Sequence, residues 1–209
     1  QTTGYTVEAI TYAPPRAFSG LANPVSVNID DEWSPLINLP FDFCFYGNKY
    51  TQCVIGSNGI LSFNAALAGT SSGYSFNSNI PVSGNTVLRE NSIFGVFHDI
   101  DPGVSGNVGW ELITLPTGCR ALVASWSNVP MFSDNAASLE YTGMMVLYEN
   151  SNIIEVYVKQ KKLDNAGAGT WNGGNAIIGI QNATGTLASV APGRNGLDPN
   201  WTATNEAWR

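Results

Sequence analysis

The 209-residue chain sets 16 acidic against 9 basic residues, a net charge of -7, with 44% hydrophobic and only 12% charged side chains. That balance argues against nucleic acid as a partner, which needs a basic face, and no apolar run approaches the roughly 20 residues that cross a bilayer, so no membrane insertion is expected. Helix formers are scarce, and short aromatic and β-branched runs separated by Gly, Pro and Asn predict an all-β chain, one domain over residues 1–209.

Tyr5 to Tyr12 alternates loosely and stops at Pro14-Pro15, the pattern of an outer strand. Residues 13–24 read as loop, and Val25 and Val27 lead into Ile29-Asp30-Asp31-Glu32-Trp33, three consecutive acids before an aromatic. Phe41, Phe43 and Phe45 share one face of a strand that returns as Gln52-Cys53-Val54-Ile55, with the turn read at Asn48-Lys49. In that register Val54 faces Phe43, and Cys44 lies opposite Cys53, within disulfide reach. The alternative is a pair of reduced core thiols. A bridge would imply an oxidising, extracytoplasmic compartment. With three cysteines, at least one thiol, Cys119 in this pairing, stays unpaired or bonds outside the chain. Ser57-Asn58-Gly59 then turns the chain into Ile60 to Phe63, completing a meander, and residues 64–90, without sustained periodicity, read as a long surface excursion.

Ile93-Phe94-Gly95-Val96-Phe97 is an almost continuous apolar run, the signature of a strand buried between two layers. It delivers His98, Asp99 and Asp101 to a sheet edge, where Pro102-Gly103 turns the chain. Further strands are predicted at Val108 to Leu115, Arg120 to Val129, Met144 to Tyr148, Ile153 to Val158, Ala176 to Ile180 and Trp201 to Trp208, with loops between. Glu155 interrupts an apolar strand and must sit at a rim or be paired. The whole predicts a β-sandwich of two antiparallel sheets with long loops, and the start at Gln1 and stop at Arg209 read as excision from a longer protein.

The single histidine, His98, leaves no context for a nucleophilic triad, and one histidine with two cysteines cannot fill a zinc site. Paired carboxylates for sugar hydrolysis could come from Asp99, Asp101, Glu155 or Glu206. Oxygen ligands from Asp99, Asp101, Asp30 and Asp31 better suit a hard cation, Ca2+, although Asp-Ile-Asp-Pro-Gly lacks the spacing of a known calcium loop. The plainer alternative is a turn in which Asp101 caps its own loop and His98 bonds a backbone carbonyl. Of six tryptophans, Trp171 and Trp201 fall on predicted loops and could stack on sugars. With Asn172 and His98 they form the predicted ligand-binding set.

Seven segments together resemble one family: Asp31 to Pro35, Leu39 to Asn48, Val54 to Gly59, Phe97 to Pro102, Trp171 to Asn175, Ile178 to Gly185 and Trp201 to Trp208. It is the surface domain of large multi-domain proteins of gliding Bacteroidota, exported by the type IX secretion system, and it is distantly similar to nidogen-type extracellular domains. The resemblance implies a secreted or outer-surface adhesin-like module without enzyme activity, holding a surface glycan or other extracellular ligand. It also implies contact with the secretion machinery through a sorting domain outside this chain. Where relatives carry cysteines after Met-Phe-Ser and before Trp-Asn-Gly-Gly, this chain has Asp134 and a Gly-Ala-Gly run, so the family bridge to Cys119 is not implied here. A structural spacer or cap in a long adhesin is the main alternative, and a glycan-active enzyme the second.

Overall fold

The computed structural model describes residues 4–23, 27–132, 139–163 and 174–209. Among the described residues eleven strands form: β1 (Ile37–Phe45), β2 (Asn48–Gly56), β3 (Ile60–Ser62), β4 (Ser92–Phe97), β5 (Asn107–Thr114), β6 (Arg120–Pro130), β7 (Glu140–Tyr148), β8 (Ile154–Lys161), β9 (Ile177–Gln181), β10 (Ala188–Val190) and β11 (Ala203–Trp208). They form two antiparallel sheets, ordered β1-β2-β3-β4-β9-β10 and β11-β8-β7-β6-β5. The result is the expected β-sandwich. Among the described residues no helix is long and apolar enough to cross a membrane.

The inward faces interlock as one apolar cluster, in which Phe43, Phe45, Ile93 and Val96 meet Leu122, Trp126, Tyr141 and Met145. β4 is buried on both faces, as its near-continuous apolar run requires. Its outward residues Phe94 and Phe97 pack in a second cluster with Trp33, Leu67, Phe76, Ile80 and Leu88. Residues 64–90 are therefore more than a surface excursion: their sparse apolar residues seal the outer face of the six-stranded sheet. The outer face of the other sheet is covered in the same way, where Ile10, Tyr12, Phe18 and Leu21 lie over Val123, Val146 and Tyr157. Tyr5 to Tyr12 is not a regular strand. It makes one bridge, Ala9 to Trp208, with backbone hydrogen bonds from Glu8 to Arg209 and from Ile10 to Ala207.

The first hairpin corrects the predicted disulfide. Its turn is Tyr46-Gly47, with φ of 45° and 83°, the doubly left-handed geometry that matches strand twist in two-residue hairpins and that Gly adopts without strain. Cys44 consequently faces Lys49, and after an irregularity between Asn38 and Phe43, Cys53 faces Ile37. Cys44, Cys53 and Cys119 are all free thiols. The pairing of Val54 with Phe43 fails for the same reason, since Phe43 faces Tyr50 and Val54 faces Ser62.

Candidate functional site

The acidic end of the sandwich is assembled where β4 leaves the sheet. Gly59 sits against β4 with φ of 81°, and a Cβ there would come within 2.0 Å of the Val96 carbonyl oxygen, so only glycine allows this approach. The neighbouring Asn58 is fully buried and binds both halves of the site. Its carbonyl oxygen accepts from the His98 N–H at 3.2 Å, its Oδ1 accepts from the Ile100 N–H at 3.0 Å, and its Nδ2 donates to Asp31 Oδ1 at 2.8 Å. Asn58 thus ties the Asp30-Asp31 loop to the strand end that carries Asp99. Sequence reasoning used it only as a turn residue.

His98 is buried, with Nδ1–H donating to the Val96 carbonyl at 3.0 Å and its ring edge-on to Tyr141, centroids 4.9 Å apart. Burial, aided by the positive charge of Lys161, pushes its pKa down to about 3, so the imidazole is neutral at physiological pH. Predicted as a ligand-binding residue, it is not presented at the surface: the residue is 4% exposed. Asp101 caps its own loop, its Oδ1 accepting from the Gly103 N–H at 2.8 Å. Both features match the plainer of the two sequence readings.

Three of the four predicted cation ligands nevertheless converge. One carboxylate oxygen each from Asp30, Asp31 and Asp99 lie within 4.8 Å of one another. That is about the span across a calcium ion coordinated at roughly 2.4 Å. Asp101 is not one of the three, although its charge reaches Asp30 and Asp31. Burial first, then Asp31 and Asp101, pushes the Asp30 carboxyl up to about 6. Burial raises Asp31 as well, opposed by the Asn58 hydrogen bond and reinforced by Asp101. Acids held together against their mutual repulsion can take up a proton or a hard cation.

Of the two tryptophans predicted to stack on a ligand, Trp201 is not on the surface. Trp201 is buried, with its Nε1 donating to the Ala176 carbonyl, Lys161 Nζ 4.5 Å and Arg194 Cζ 4.3 Å from its ring centroid. Cations occupy the π surface a sugar would need. Trp171 and Asn172 lie outside the described residues. Of the carboxylates weighed for hydrolysis, Glu206 is held by Arg194 at 2.8 Å, and Glu155 accepts from Tyr148, Tyr157 and Arg209.

Fold and site define an antiparallel β-sandwich module with an acidic loop end. The family model for NIDO-related domains matches residues 4–207, and the chain belongs to that family. It is a domain of extracellular type, in keeping with the likeness to nidogen domains. Comparison with characterised proteins and with solved structures gives no match.

Proposed function

We propose that this chain is a non-catalytic adhesion module, secreted or displayed on the outer surface of a gliding-type bacterium as one part of a longer protein. Its partners in this reading are a surface glycan and, through a sorting domain elsewhere in that protein, the type IX secretion machinery. Membership of the NIDO-related family over residues 4–207 supports the extracellular setting. What supports the non-catalytic half is that several polar residues near the strand ends are either buried or already paired. His98 is neutral and buried, Asp101 caps a turn, and Glu155 and Glu206 are fixed by arginines.

A glycan array probed with this domain tests the reading. Binding that disappears in Trp171→Ala supports recognition of carbohydrate; a folded domain that binds no glycan supports the spacer. Turnover of a glycan that is lost in Asp99→Asn would instead favour the enzyme. Within the same proposal Asp30, Asp31 and Asp99 hold Ca2+ as a clamp between loops. Added Ca2+ then raises the melting temperature and Asp99→Asn removes that response; an unchanged melting curve in Ca2+ and in excess chelator refutes the clamp.

A further inference from the structure

The end of the sandwich away from the acids is not closed. Between β9-β10 of one sheet and β8-β11 of the other lies a cleft of about 270 Å³, walled by Ile93, Ile178 and Ile180 on one side and Ile154 and Val156 on the other. Its origin is the edge strand. β10 pairs Ser189 with Ile180, and just beyond it the Ala191 N–H bonds the Ile178 carbonyl, so two small side chains stand at the sandwich edge where large ones would fill the gap between sheets. The cleft leads into the inter-sheet core, since Ile93, Val156, Ile178, Ile180 and Ala191 all belong to that cluster. Residues 4–8 and Trp208-Arg209 form its rim.

The polar groups around the cleft are already engaged with one another. Tyr5 OH donates to the Cys44 carbonyl at 3.1 Å, Ser189 Oγ donates to the Tyr5 carbonyl at 2.9 Å, and the Cys44 N–H donates to Asn152 Oδ1 at 2.7 Å. Arg209 turns Nε and Nη2 to Glu155, and Nη1 lies 3.9 Å from Glu8. That leaves one cation between two carboxylates at the rim, which does not attract an anion. A cavity of about 150 Å³ lined by aliphatic side chains takes up benzene; this cleft is nearly twice as large and still mostly apolar, as small-molecule sites are.

We propose that the cleft between β8 and β9-β10 is a binding site for an uncharged apolar molecule of about ten carbons, aliphatic or aromatic. The site lies apart from the acidic end and does not depend on the adhesion reading. The probe is 1-naphthol, followed by saturation-transfer NMR and calorimetry on the full 209-residue chain, with naphthalene-1-sulfonate as its anionic counterpart. The expected result is saturable binding of naphthol below about 1 mM, at least about tenfold weaker binding of the sulfonate, and at least about a tenfold loss of naphthol affinity in Ala191→Leu. Ser189→Val narrows the cleft from the edge strand and gives the same loss if Ala191→Leu fails to fold. Ile29→Ser, which removes an exposed apolar side chain elsewhere, leaves binding unchanged. No binding by the parent chain, parental affinity in a folded narrowing variant, loss of binding in Ile29→Ser, or equal binding of the sulfonate would each overturn the proposal.

Discussion

Removing Glu155 tests whether the acid buried in β8 holds the outer layer of the five-stranded sheet. Glu155 is 4% exposed. Its Oε2 accepts from Tyr148 OH and Tyr157 OH at 2.6 Å each, and its Oε1 accepts from Arg209 Nε at 3.0 Å and Nη2 at 2.8 Å. Burial pushes the carboxyl up, but these hydrogen bonds outweigh it and hold the pKa below its ordinary value. Breaking a buried, hydrogen-bonded ion pair from one side costs about 3–5 kcal/mol. Arg209 is 45% exposed and can turn to water once freed, so the lower end, roughly 3 kcal/mol, applies to Glu155→Ala. In a domain of this size that is a fall of about 6–12 °C in melting temperature. Glu155→Gln, which keeps the shape and can still accept from Arg209, falls less. The pH dependence has a definite sign. A carboxyl with a lowered folded-state pKa contributes stability above its unfolded pKa of about 4.3 and loses it as pH falls through the folded value. Urea unfolding of parent and Glu155→Ala from pH 7 to pH 3 should therefore converge at the acid end. A loss under about 1 kcal/mol at pH 7, or a difference that does not shrink with acid, would refute the reasoning.

The Asp30 carboxyl behaves in the opposite sense: its pKa is raised to about 6, so in chelator the parent gains stability as pH falls from 7 through 6. Asp30→Asn should melt higher than the parent at pH 7 in chelator and show a flatter pH profile between 7 and 4; a lower melting temperature under those conditions would count against repulsion in the cluster. Thiol titration without reductant should find all three cysteines free in denaturant. Cys53, buried and pushed up to about 12, should stay unreactive until the chain unfolds. Fewer than three thiols in denaturant would restore a disulfide.

What was legible in the sequence was the part set by local pattern. The run from Ile93 to Phe97 reads as a doubly buried strand and is one, because neighbours on a pleated strand point to opposite faces and apolar clusters cover both. The β7-β8 hairpin and the β1-β2-β3 meander follow from alternation. Register was less legible, since Asn48-Lys49 and Tyr46-Gly47 both offer turn residues, and moving the turn by two positions separates the cysteines. Burial supplied by distant segments was not legible at all. Nothing near Trp201 announces that Lys161 and Arg194 will cover its ring, and nothing in the composition of residues 64–90 announces that Leu67, Phe76, Ile80 and Leu88 will close a sheet face. At the acidic end the carboxylates were visible, but the asparagine that gathers them was not, because an amide four decades of residues from its partner looks like any turn residue.

The antiparallel pairing of Glu8 with Arg209 has a mechanical consequence. Each N–H of that pair donates to the other's carbonyl, at 3.0 and 2.9 Å, and the next bond inward joins Ile10 to Ala207. A pull applied through Gly4 and Arg209 loads these bonds in sequence instead of together. The flap over β11 would peel open under modest tension, uncovering the rim of the apolar cleft before either sheet is strained.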